Sequence, residues 1–309
     1  MAELTIALSL ATDLGTGQPL EHGLRTCWLS LAAAEALDLD APARSCVYYV
    51  ALLRFMGCTS DAAEVAVLSG GDDVAFNAVM APMLNAGPGE GARFLVRHLA
   101  EDLPWPRRAG RVVRALADPG GGHRSLSGHC EVASRLAARL GMDGAVCNGL
   151  AHAYERWDGT GSPSGLAADD VPPAVRVVTV ARDVEMWSRQ AGWATTAEVL
   201  RHRRGRAYDP AVVDVFVAGG DAWLDGLEDD PCAAVLDAEP APVATIGEDG
   251  LDGAVAAVAD FADLESPWFR GHSPSVARLA EAAARAAGLS DHDARTLRGA
   301  AMVHDVGRV

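Results

Sequence analysis

Apolar residues fall at helical spacing in several stretches of the chain, as in Val132, Leu136 and Leu140, and in Val276, Leu279, Ala280, Ala283 and Ala287. Alanine-rich runs such as Leu31 to Ala36 and Ala280 to Ala287 favour helix, because alanine loses no side-chain entropy there. Runs of β-branched residues are short and aromatics are few, which argues against strands. The pattern predicts an all-α protein, a helical bundle.

A repeat organises this pattern. His22 to Cys58 aligns without a gap to His272 to Arg308, and a histidine opens each copy while Gly57 and Gly307 stand at the same place near its end. In the second copy Ser273 predicts an N-cap, Pro274 the first helical position, and Gly288 the stop. Ser290 with Asp293 then predicts a capping box, starting a second helix that runs into Met302, Val303, His304 and Asp305. The chain reversal brings His272, at the start of one helix, to His304 and Asp305, at the end of the other. Imidazole nitrogens and a carboxylate meeting there are ligands for a metal, with Asp305 able to bridge to a second one.

Half of the 309 residues are hydrophobic, enough for one large helical domain and a smaller one. The formal charge of −16 repels phosphate backbones, so direct nucleic-acid binding by these residues is not expected. The six cysteines include no C-x-x-C pair and read as reduced thiols. Leu4 to Ala11 is too short to span a bilayer and no basic residue precedes it, so no membrane segment and a cytoplasmic location are expected.

The segment GHSPSVARLAEAAARAAGLSDHDARTLRGAAMVHDVGRV resembles the start of an HD-GYP domain, with Arg308 where that family commonly has lysine. A second stretch, AHAYERWDGTGSPSGL, resembles the HHExxDGxGYP signature through Glu155, Asp158, Gly159, Gly161 and Pro163. Val171 to Asp183 and Gly205 to Phe216 resemble later segments of the same family. The resemblance implies an HD-domain phosphohydrolase: a divalent metal such as iron or manganese, cyclic di-GMP or another phosphate as ligand, and a homodimer.

The departures fall on the chemistry. In the first copy the HD doublet becomes Arg54-Phe55, the paired histidines become Ala153-Tyr154, and Ser162 replaces the tyrosine of GYP. The aspartate of the later helix is replaced by, or displaced next to, Arg182. Only His22 and His129 remain as histidines at positions that resemble family ligands. No metal is therefore expected in the first unit, where Arg54 puts a positive charge in a cation's place. In the second unit the resemblance implies His272, His304 and Asp305 as metal ligands, Asp305 also being the candidate catalytic residue. That site is expected to be incomplete within this chain, which ends before any counterpart of His129.

Each feature also has a bland reading. His129 opens a helix and reads as structural, while His22 has Glu21 beside it as a partner. Asp158 to Pro163 makes an ordinary tight turn, and Tyr154 and Trp157 read as core aromatics. Arg201, Arg203, Arg204 and Arg206, with His202, read as a solvated helix end, and Gly120 to Gly122 as a flexible loop. The expected organisation is a degenerate HD-GYP-like domain over 1–235, a linker over 236–251 within the proline- and acid-rich stretch from Asp230 to Asp252, and the start of a second HD domain over 252–309. The leading functional expectation is a metal-dependent phosphohydrolase whose first unit is regulatory. The alternative is a non-catalytic signalling or dimerisation module, and a third reading has Arg54, Arg156 or Arg182 hold a nucleotide where the metals should be.

Overall fold

A computed structural model describes residues 1–69, 71, 73–99, 104–118, 120–224, 230–241 and 243–308. Helices α1 to α5 are Ala2–Gly15, His22–Ala36, Ala41–Leu53, Ala62–Ser69 and Asp73–Met80. Helices α6 to α10 are Pro88–His98, Trp105–Ala117, Gly121–Arg139, Gly144–Ala151 and Pro173–Arg203. Helices α11 to α15 are Pro210–Leu224, Pro231–Asp237, Glu248–Asp263, His272–Ala286 and Asp291–Val303. The described residues contain isolated bridges but no β-strand, so the fold is all-α as the sequence predicts. None of their helices is long and apolar enough to cross a membrane.

The core forms around α10, whose Val175, Val177, Val178, Val180, Ala181 and Val184 are buried against α2 and α3. Gly192 interrupts that helix with φ +77° and ψ 166°, a conformation only glycine adopts readily.

The two predicted hairpins, α2–α3 and α14–α15, share a backbone plan. Each first helix is entered through a left-handed residue, Glu21 at φ 74° and Gly271 at φ 76°. A buried aspartate then latches each entry: Asp13 accepts the Gly23 N–H at 3.2 Å, and Asp263 accepts the Ser273 N–H at 3.2 Å and its hydroxyl at 2.7 Å. The second helices are capped alike, by Asp40 accepting from the Ala43 N–H and by Ser290 accepting from the Asp293 N–H.

Three local expectations change. Ser273 is not the N-cap, because the helix begins at His272 and the Ser273 hydroxyl is turned onto Asp263. Leu279 of the predicted stripe is 71% exposed while Ala277 and Ala284 are buried, because α14 packs against α13 and α15 alone of the larger helix contacts. Gly121 and Gly122 are not loop; they form the first turn of α8.

Between Asp230 and Asp252 the chain is more than a spacer. Val235 of α12 is fully buried and its carbonyl accepts the Tyr48 hydroxyl at 3.1 Å, while Tyr49 donates to Glu239. Ala254, Ala257, Val258 and Phe261 of α13 join the core that contains Leu136 of α8 and Leu140 just after it, and Arg139 pairs with Asp260. Pro242, part of the linker expectation, lies outside the described residues, as do Pro119 and Val309 and the side chain of Arg308.

Candidate functional site

The hairpin plan brings His272, His304 and Asp305 together as the spacing predicts. His272 sits at the first position of α14, His304 caps the end of α15, and Asp305 follows. Nε2 of His272 is 3.5 Å and Nε2 of His304 3.3 Å from the same Asp305 oxygen, Oδ2. One ligand atom from each residue lies within 4.8 Å of the others, and this is the one group of that kind among the described residues. The His304 ring nitrogen Nδ1 donates to the Ala301 carbonyl at 2.8 Å, which fixes the tautomer and leaves the Nε2 lone pair for a ligand. The His272 and His304 rings lie 5.4 Å apart, and both remain partly accessible. These donors fit a divalent cation of the zinc, iron or manganese type: two imidazoles and a carboxylate, partly open to an incoming group.

The first unit puts His22, Arg54 and Phe55 at the equivalent places, and they do not fit a metal. His22 is buried and its Nδ1 is bonded to Glu185, which also takes the Arg189 Nε–H at 2.9 Å. The partner is thus Glu185 on α10, not Glu21, which pairs with Arg25 instead. Burial alone would raise the Glu185 carboxyl, but His22 and Arg189 outweigh it and hold it down to about 2. Arg54 is 2% exposed and donates to the Thr179 hydroxyl at 2.9 Å, with its guanidinium 5.3 Å from the Tyr154 ring centre and 5.7 Å from that of Phe55. Arg182 is equally buried, 5.8 Å from the Phe55 ring centre, and bonds Asp183 at 2.5 Å.

Asp183 anchors this interior, accepting also from Arg203 at 2.9 Å, Asn85 at 3.1 Å and the Tyr208 hydroxyl. Burial would raise its carboxyl, but the two arginines and Tyr208 keep it below the usual carboxylate range. Arg203 therefore does not belong to a solvated helix end, because the first of its partners is this buried carboxylate; exposed Arg204 pairs with Asp214.

His129 lies in the middle of α8 and does not open it, since the glycine run begins the helix eight residues earlier. Its Nε2 is 2.7 Å from Asp61, which also accepts from Ser125. The signature loop is held by Glu155, whose carboxylate accepts the backbone N–H groups of Ser164 at 2.6 Å and Leu166 at 3.0 Å. Asp158 accepts from Arg156 and Thr160, which overcome its burial and hold its carboxyl low. Gly159 has φ +75°, and a Cβ on Gly161 would lie 2.4 Å from the Arg156 nitrogen, so this turn needs its glycines. Pro163 follows Ser162, whose hydroxyl bonds His123 at 2.8 Å.

Sequence reasoning missed Asp13, Asp61, Glu185 and Asp263, whereas Asp183 is the aspartate expected displaced next to Arg182, and it holds Arg182 and Arg203. For the latches a signal exists: Asp-Leu stands at 13–14 and again at 263–264, the same distance before each histidine.

Residues 123–212 match the HD domain family, a segment that includes His129, the loop and Asp183. The whole chain is 27% identical over 314 aligned positions to the 3'3'-cGAMP-specific phosphodiesterase 3 of Vibrio cholerae, covering 68% of that relative. A shorter match, 28% identical over 107 residues, links 32% of the chain to 22% of a probable cyclic di-GMP phosphodiesterase of the same organism. A crystal structure described as cyclic GMP-AMP-specific phosphodiesterases of V. cholerae superposes on the whole chain and 70% of its own, with TM-score 0.76 and 25% identity.

Proposed function

We propose, for a chain that belongs to the HD-domain phosphohydrolase family, a division of labour: residues 1–235 form a metal-free scaffold, 236–251 a connection, and 252–309 carry the ligands of a divalent metal for cyclic-dinucleotide hydrolysis. The observation that carries this reading is the contrast at equivalent backbone positions. His272, His304 and Asp305 converge on one point, whereas His22, Arg54 and Phe55 offer a single imidazole already engaged by Glu185.

In the second unit, His272 and His304 present Nε2 to the cation and Asp305 presents Oδ2, with Ala301 holding the His304 tautomer. Bound there, the metal supplies Lewis-acid stabilisation of charge developing on a phosphate. In the first unit Arg54 and Arg182 take up the positive charge that metals bring elsewhere, and Glu155 keeps the loop in shape.

Elemental analysis and calorimetry with manganese on the full chain test the assignment. Manganese uptake that is lost in His304→Ala and retained in His22→Gln is expected, and uptake unchanged by His304→Ala would overturn it. Turnover of 3'3'-cGAMP and cyclic di-GMP then tests the substrate class. A second reading, a signalling module without catalysis, is favoured by the filled interior of the first unit; metal binding without turnover would support it.

A further inference from the structure

The turn that leads into the candidate metal ligands carries two aromatic residues. Ser266 and Pro267 start a short 3-10 helix, Pro267–Phe269, with the Ser266 hydroxyl accepting the Trp268 N–H at 3.4 Å. Trp268 is 92% exposed, more than any other large apolar side chain among the described residues. Phe269 is half-buried and meets His272 edge to face, with ring centres 5.7 Å apart. Gly271 follows in its left-handed conformation, and a Cβ there would have no atom within 4 Å, so the backbone between the aromatics and His272 stands clear.

The first unit has neither aromatic at this turn. Under the repeat that sets His272 on His22, Trp268 and Phe269 fall on Gln18 and Pro19. The aspartate latch, the left-handed entry and the histidine all recur at their places, so the backbone plan does not require the aromatics. Burial does not account for Trp268 either. Single exposed apolar side chains are ordinary. This one adjoins an aromatic that touches His272, in the copy whose histidines and aspartate converge.

We propose that Trp268 is the stacking platform for a purine base of the nucleotide whose phosphate lies at His272, His304 and Asp305, which rests on the metal assignment of that site. Phe269 is a positioning residue that sets the turn against His272. A nucleotide's sugar holds its base away from its phosphorus, so the support for the base has to stand beside the metal ligands and not among them. Trp268 stands so, in the turn just before His272. An indole offers the largest flat face of any side chain, and a base laid on it removes apolar surface of both from water. A purine covers more of that face than a pyrimidine, which makes Trp268 a specificity-determining residue.

The test is calorimetry of 3'3'-cGAMP and of cyclic di-UMP, a pyrimidine analogue, on the full chain in excess manganese, with indole fluorescence followed in parallel. Trp268→Ala is expected to weaken 3'3'-cGAMP binding about 5- to 100-fold and to shrink its advantage over cyclic di-UMP. Trp268→Phe should restore most of the affinity while losing part of the fluorescence quenching that 3'3'-cGAMP causes. Manganese uptake should be the same in both variants, since an exposed side chain is being changed. An affinity for 3'3'-cGAMP unchanged by Trp268→Ala, or no binding of it to the unaltered chain, would overturn the proposal. Manganese uptake that ignores His304→Ala counts against the metal assignment and not against Trp268, whose variants are compared at equal manganese.

Discussion

The α2–α3 and α14–α15 hairpins are built alike and finished differently. Both use a left-handed entry residue, an aspartate latch and a side-chain N-cap at matching positions. At their tips, one buries Arg54 against aromatic rings and Thr179, while the other leaves His304 and Asp305 gathered with His272 and partly accessible. The comparison teaches that the hairpin is not shaped by metal ligation. Caps, latches and alanine packing set the backbone, and the tip is free to hold either a cation binding site or a cation of its own.

The largest break in the comparison is expected at Asp183, the carboxylate that the buried arginines of the first unit share. Asp183→Asn leaves Arg182 and Arg203 buried without their carboxylate and should cost about 3–5 kcal/mol in denaturant unfolding. Next comes the pair Leu29 and Leu279, equivalent in the repeat but 1% and 71% exposed. Leu29→Ala should cost about 2–5 kcal/mol and Leu279→Ala less than about 0.5 kcal/mol, so similar losses would sink the claim that only the first hairpin is enclosed.

A pH measurement sharpens the contrast further. His129 titrates near 10 in the fold against an ordinary 6.5, so its contribution is complete below 6.5 and is lost as pH rises towards 10. Glu185 has the opposite sign, its contribution being present above 4.5 and lost as pH falls towards 2. Asp61→Asn should flatten the alkaline arm by roughly 1–3 kcal/mol and also take away Asp61's own share of the acid arm, since His129 and Ser125 hold its carboxyl low against burial, while the Glu185 share stays. The smallest effects should be equal in both hairpins: Asp40→Ala and Ser290→Ala each remove one N-cap bond, for about 1 kcal/mol.

The helices, the repeat and the gathering of His272, His304 and Asp305 were legible because their signals are local. A cap, a glycine stop and a doublet at the end of a helix are all set by neighbours a few positions away. What closes the first unit was not legible, since His22 meets Glu185 and His129 meets Asp61 only after the chain folds back on itself. Hydropathy also misplaced Leu279, because an apolar stripe says which face can be covered and not whether anything covers it. The glycine run at 120–122 failed for a related reason: α8 gains enough packing through Cys130, Ala133, Leu136 and Ala137 to carry two poor helix formers in its first turn.

Glu155 carries a lesson about diagnosis. Its carboxylate is spent on two backbone amides of the loop that follows, so the most recognisable part of the signature is maintained by a requirement of local architecture. A well-formed turn needs that carboxylate whatever residues stand beside it at Ala153 and Tyr154. The loop therefore testifies to a turn that has to fold, and it is silent on whether a cation is held at the hairpin tip.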